Sequence, residues 1–309
     1  MLHRPVQHRK LNMTIYTHAE SNIRKTWVLV SLFFVFIIGL GWVASYVFQN
    51  QNILIFAVVF SLVMNFVSFW YSDKVVLAIT KARPIEKKDN PGLYRIVENL
   101  CITAGLPVPR IYITPEAQPN AFATGRDAQH AVIAVTQGLL EKLNKQELEG
   151  VISHELSHIG NKDMLLMTVV VVLVGFVSIL SDIFVRSMWF GGARKRDNNN
   201  SGQVGAILIL VGVVLMVLSP LIALLIQMAI SRKREFLADA SGVLLTRYPE
   251  GLARALAKIA ADPTPIKKVS NATAHLYISN PFRGKSFSSL FLTHPPIEQR
   301  IKALREMEI

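Results

Sequence analysis

Cysteine occurs once in this chain, at Cys101. A single thiol excludes an intrachain disulfide and gives no sign of an oxidising compartment. It sits in YRIVENLCITAG, a helical pattern, and reads as an inert core residue. Charge is scarce too: Asp, Glu, Lys and Arg make up 17% of the residues, against 51% hydrophobic. Mean hydropathy is +0.36. That balance argues against an ordinary soluble domain and for a membrane protein. Acidic residues are the scarcer sign, 21 against 33 Lys and Arg, giving a net charge of +12. The basic residues flank apolar runs and form no nucleic-acid motif, so no nucleic-acid partner is expected. The first 26 residues are too polar for the apolar core of a signal peptide, and Met13 offers a second start.

What is present is four apolar runs: 27–48, 53–71, 164–185 and 205–230. Each is near or above the ~20 residues a helix needs to cross a bilayer. Asp182 and Pro220 leave room for a tilt, a kink or partial insertion in the last two. The runs divide the chain into a cytoplasmic N-terminal segment (1–26), a transmembrane hairpin (27–71), a first polar block (72–163), a second hydrophobic hairpin (164–230) and a second polar block (231–309). Arg24 and Lys25 precede the first run, Lys74 and Lys81 follow the second, and Arg232, Lys233 and Arg234 follow the fourth. The positive-inside rule then places both termini in the cytoplasm. The basic loop RSMWFGGARKRDNNNSGQ between runs three and four fits this less well and leaves a non-crossing hairpin open.

In the first polar block, NPGLYRIVENLCITAG predicts an amphipathic helix. RIYIT and AVIAV predict short strands, with NAFATG between them as a third. Helices are expected over GLLEKL, NKQELEGVISHELSHIGNKD, SRKREFLADASGVLLTRY, PEGLARALAKIAAD and PPIEQRIKALREMEI. The fold class is therefore a mostly α membrane protein (α+β) with four hydrophobic helices, a cytosolic domain and a small β-sheet.

The chemistry centres on ISHELSHIGNKD, residues 152–163. On a helix, His154 and His158 share a face and can aim two imidazoles at one metal ion. Glu155 projects beside that face and can take a proton from a water that the metal acidifies. The plain alternative is a polar helix with two exposed histidines. Catalytic zinc takes three protein ligands and keeps one open position. Glu235, in KREFLADASG, is the best third ligand, and Asp239 follows it at i+4 as a carboxylate able to orient a ligand histidine. His154, His158 and Glu235 can meet only on one side of the membrane, which zero or two crossings between them allow.

HELSH at 154–158, EFLAD at 235–239, PNAFATG at 119–125 and THPPIEQRI at 293–301 together resemble the HtpX-type membrane proteases of the M48 peptidase family. The resemblance covers nearly the whole chain, the first twelve residues being the main departure. It implies a gluzincin-like zinc-protease domain, one zinc ion per chain held by His154, His158 and Glu235, and Glu155 as general base and acid. It also implies Asp239 as the residue orienting a ligand histidine, and Asn120, Ala121 and Phe122 beside the substrate cleft. His294 and Arg300 match positions near the site. The function implied is membrane protein quality control: a multi-pass protease of the bacterial inner membrane, in contact with the lipid bilayer, with its site facing the cytoplasm and damaged or misfolded membrane proteins as substrates.

A strand edge can hold an extended peptide, and the Asn120–Gly125 stretch or the strand at 131–135 is the candidate edge. The developing oxyanion needs a donor, for which Arg300, His294 and Tyr277 are candidates. Intramembrane proteolysis is disfavoured because the motif lies in a polar stretch and no Leu-Asp-Gly occurs. A zinc-binding scaffold or chaperone-like protein without proteolysis has no use for Glu155. A transporter would need charged residues inside the runs, and these are nearly absent.

Overall fold

The computed structural model describes residues 15–47, 49–176, 232–264, 276–278 and 295–307. Helices α1 (Ile15–Val47) and α2 (Gln51–Trp70) pack as a hairpin. Their apolar stretches, Glu20–Tyr46 and Gln51–Trp70, have mean hydropathies of 2.5 and 2.3 and are long enough to cross a bilayer. Trp27, Trp42, Phe56 and Phe66 point outward, as lipid-facing side chains do. The seam is made of small residues: a Cβ on Gly41 would stand 2.2 Å from that of Ala57. With no water to expel between spans, such close backbone approach is what holds them together.

Helix α1 begins at Ile15, well before the apolar run at 27, so residues 15–26 do not all form a separate segment. Its polar first turns bury Asn22 and Thr26, one turn apart on a single face. Two short elements follow the hairpin that the sequence does not announce, α3 (Ser72–Ile79) and β1 (Arg83–Pro84). Eight and two residues are too few for a clear periodicity.

Helix α4 (Pro91–Ala104) starts with Asn90 accepting the Leu93 N–H and ends at Gly105, whose φ of 65° needs a glycine. Its buried face is Leu93, Ile96, Val97, Leu100 and Cys101, the spacing of one helical stripe. Burial pushes the Cys101 thiol up to about 11, in keeping with an inert core residue.

Strands β2 (Arg110–Thr114), β3 (Ala121–Thr124) and β4 (Val132–Thr136) join β1 in one mixed sheet of order β1-β2-β4-β3. Strand β4 is central, parallel to β2 and antiparallel to β3, with Ile111 opposite Ile133 and Phe122 opposite Ala134. Side chains alternate between two cores. Ala121, Ala123, Ile133 and Val135 face the core that α4 shares with the helices Lys145–Gly160, Arg232–Thr246, Pro249–Ala261 and Ile297–Arg305. Phe122 and Ala134 face the opposite core, where Leu29 and Phe33 of α1 meet Leu166 and Val170. The sheet thus lies between the helical layer and the membrane hairpin.

After α5 (Gln137–Lys142) comes α6 (Lys145–Gly160), started by a capping box. Asn144 accepts the Glu147 N–H at 3.0 Å, and Glu147 returns to the Asn144 N–H at 2.9 Å. At Asn161 and Lys162 the chain turns by 87° into α7 (Asp163–Phe176), the start of the third apolar run. The rest of that run and the whole of 205–230 lie outside the described residues. Helices α8 (Arg232–Thr246), α9 (Pro249–Ala261) and α10 (Ile297–Arg305) pack around α6 and one another. The result is a mostly helical chain with a small mixed sheet. Among the described residues two helices can span a membrane, or three if α6 and α7 count as one bent span.

Candidate metal centre

Helix α6 supplies two of the converging groups. His154 and His158 are 3% and 5% exposed, so the plain reading of an exposed polar helix does not hold. Helix α8 crosses α6 at Gly242, where an added Cβ would stand 3.0 Å from both His154 N and Ser153 Oγ. That contact lets Glu235, seven residues earlier on α8, reach the histidines. The two Nε2 atoms are 3.2 Å apart. Glu235 Oε2 lies 3.8 Å from His154 Nε2, and Oε1 lies 3.7 Å from His158 Nε2.

Each imidazole is turned by a carboxylate on its other nitrogen. His154 Nδ1 lies 2.9 Å from Asp239 Oδ1, and His158 Nδ1 lies 3.0 Å from Asp163 Oδ2. Such partners favour the ring proton on Nδ1 and leave Nε2 as the lone-pair side. The two Nε2 atoms and a carboxylate then face one small volume, an arrangement suited to a metal ion that displaces the remaining ring proton. Tetrahedral zinc with Zn–N bonds of about 2.0–2.1 Å sets two ligand nitrogens about 3.3 Å apart. The observed spacing is close to that, and the three side chains fit the ion.

The electrostatics follow from burial. Desolvation raises the Glu155 carboxyl above its ordinary range, against the pull of both histidines and an Ala123 backbone hydrogen bond. Burial alone would lift Asp239, but the Arg300 guanidinium and the His154 ring hold it below the usual carboxylate range. Burial alone would lower His158; the Asp163 hydrogen bond and the Glu235 charge outweigh it and raise that ring to about 9 in the metal-free protein. A cleft opens beside these groups, lined also by Phe122, Met167, Leu276 and Ile278.

Residues 87–308 match Peptidase family M48. The chain belongs to that family. This M48 peptidase is 45% identical over 300 residues to the "Protease HtpX homolog" of Caldanaerobacter subterraneus subsp. tengcongensis, covering 96% of this chain and 99% of that protein. It is 50% identical over 285 residues to the protein of the same name from Thermococcus sibiricus, covering 91% and 96%. The crystal structure of S. mikatae Ste24p is similar at a TM-score of 0.47 and 19% identity, covering 91% of this chain and 66% of that one. The chain is a membrane metalloprotease.

The structure brings most of the singled-out M48 residues together. His154, His158, Glu235, Glu155, Ala121, Phe122 and Arg300 line one cleft, and Asp239 stands behind His154. Arg300 is no surface ion pair: it is 1% exposed and grips Asp239 with Nε to Oδ2 at 2.8 Å and Nη2 to Oδ1 at 2.6 Å. Its Nη1 lies 3.4 Å from Glu235 Oε2 and has no hydrogen-bond acceptor among the described residues. Asn120 does not face the ligands. Its amide donates to Leu276 O at 3.2 Å and accepts the Ile278 N–H at 2.9 Å, holding the chain that borders the cleft. Tyr277 is not brought to the site; its hydroxyl donates to Glu116 Oε2 at 2.8 Å. His294 lies outside the described residues.

Three residues of the surroundings escape sequence reasoning: Asp163, Asn22 and Arg234. Asp163 is legible in principle, as a carboxylate five residues past the second histidine at a helix break. Arg234 reads as a basic flank of the fourth apolar run, yet it is buried beside Asp163 and Asn22.

Proposed function

We propose that this metalloprotease is a zinc endopeptidase that cuts misfolded or damaged membrane proteins. Its site would lie on the cytoplasmic side of the inner membrane, as would both termini. The two polar blocks, 72–163 and 231–309, would form one catalytic domain around α6. The observation that carries the reading is the meeting of His154, His158 and Glu235 beside the buried acid Glu155.

His154, His158 and Glu235 would hold the ion through Nε2, Nε2 and a carboxylate oxygen. Bound there, zinc supplies Lewis acidity, which polarises a carbonyl and acidifies water. Glu155 takes the proton of the attacking water and gives it to the leaving amine nitrogen as the C–N bond breaks. A carboxyl raised by burial suits both transfers, since it gains and loses a proton nearer to neutral pH. Asp239 keeps the His154 proton on Nδ1. Arg300, besides gripping Asp239, lines the cleft, and its guanidinium would be a donor for the developing oxyanion.

Among the described residues strand β3 ends the sheet, and the Ala123 backbone hydrogen bond to Glu155 supports the reading that its outer side faces the site. A substrate strand would add to that edge, with Ala121 and Phe122 along the same cleft wall.

The test is Glu155→Gln beside wild type, both purified in detergent and given zinc and an unfolded protein. The expected result is equal zinc content and a turnover loss of about 10²-fold or more in the variant. Wild-type turnover by Glu155→Gln would end this mechanism.

A further inference from the structure

The two ligand histidines are supported in different ways. Behind His154, Asp239 is clamped by Arg300 of α10, so that support lies wholly within the catalytic part. Behind His158 the support includes a membrane helix. One oxygen of Asp163 faces His158 Nδ1 at 3.0 Å. The other accepts a hydrogen bond from the side-chain amide of Asn22, on α1. Asn22 Oδ1 in turn accepts from Arg234 Nη1 at 3.2 Å, and Arg234 Nε stands 3.9 Å from the same Asp163 oxygen. The Asn22 amide also points at the Asn161 carbonyl, 3.4 Å away in the turn between α6 and α7.

Asn22, Asp163 and Arg234 are all buried, so water is poorly placed to replace a lost partner. A histidine that ligates a metal is held by the group on its other nitrogen, and that group by its own partners. Here the chain of contacts runs from His158 through Asp163 to the polar end of a membrane-spanning helix.

We propose that Asp163 and Asn22 are positioning residues for His158, so that zinc is retained only while α1 is seated against the turn between α6 and α7. The inference rests on the zinc reading above. Displacing α1 frees one ligand histidine and leaves the other, with Glu235, in place. Zinc affinity then reports how the first membrane helix is seated.

The experiment measures the zinc dissociation constant of the full-length protein in detergent, by competition with a chromogenic chelator. The visible spectrum of the cobalt-substituted protein is recorded on the same variants. Asp163→Asn is expected to weaken zinc about 10–100-fold and Asn22→Ala about tenfold, each altering the cobalt bands. Asn22→Gln, which keeps the amide, is expected to recover part of the loss. Thr26→Val, one turn along α1, removes only a hydroxyl bonded to the Asn22 carbonyl, and zinc affinity should stay within about twofold of wild type.

Wild type that binds no zinc would sink the zinc reading itself. Wild type that binds zinc, with Asn22→Ala and Asp163→Asn binding equally well, overturns this inference and leaves that reading intact. A loss in Thr26→Val as large as in Asn22→Ala also overturns it, because the effect would then be general loosening of α1. Should Asn22→Ala fail to fold, Asn22→Ser is judged by the same two readouts.

Discussion

Arg300→Met should unfold the catalytic part far more easily than its place near the chain end suggests. Arg300 gives Asp239 two charge-assisted hydrogen bonds, at 2.8 and 2.6 Å, and both side chains are 1% exposed. Methionine keeps much of the volume and none of the charge. Among the described residues Asp239 is left buried with the His154 ring beside it, and Glu235 loses the cation 3.4 Å away. Removing one partner of a buried pair costs about 3–5 kcal/mol. That is a large share of the ~5–15 kcal/mol by which domains are usually stable. Removing both partners costs less, so Asp239→Leu with Arg300→Met should recover more than half of the loss. Cys101 provides the assay. It is the single thiol and lies buried in α4, so its labelling against urea, with chelator present, follows the catalytic part and not the membrane hairpin. A single variant within about 1 kcal/mol of wild type would refute the reasoning. So would a double variant no more stable than the single one.

The remaining predictions concern pH and close packing. His158 is raised to about 9 in the metal-free protein, so below pH 9 the ring carries a proton that zinc must displace. Apparent zinc affinity should therefore fall by about tenfold for each pH unit lost between pH 8 and 6, and a flat chelator titration across that range would contradict it. Gly242→Val should push α8 off α6, because even one Cβ would stand 3.0 Å from the His154 backbone. About 1–3 kcal/mol of stability and most of the bound zinc should be lost, read by Cys101 labelling and metal analysis. Gly41→Ala should destabilise the membrane hairpin in thermal scans, its Cβ falling 2.2 Å from that of Ala57, whereas Gly39→Ala, with nothing within 4 Å, should not.

What was legible in the sequence is what is encoded locally. His154, Glu155 and His158 lie within five residues, and their shared face follows from helix geometry alone. The α4 stripe and the β-branched runs of β2 and β4 carry their own periodicity. The motif helix misleads for the same reason: Ser153, His154, Glu155, Ser157 and His158 look like a solvated face, yet all are buried. Hydropathy counts each polar residue as exposed and cannot see partners brought in from α8 and α10. The contact between Asn22 and Arg234 spans 212 residues, and that between Asn22 and Asp163 spans 141. No window along the chain contains both ends of either. Arg300 and Asp239 were each visible from the family resemblance, but their bidentate clamp was not, being a product of how α10 packs on α8.

The β3 edge has a consequence for which proteins this peptidase would destroy. A single strand pairs about 4.8 Å from its neighbour, whereas an intact helix is about 10–12 Å across. A substrate added to β3 as proposed would therefore enter as a stretched chain, and an intact helix would be turned away. No signal sequence would then be needed for discrimination: a target would be cut in proportion to the time a segment of it spends open. A protein that opens at a cost of about 5 kcal/mol exposes such a segment roughly once in 5,000 moments, and damage that removes about 2 kcal/mol raises this about thirtyfold. Selection would then act as a clock on frailty, set by the substrate and read by one short strand.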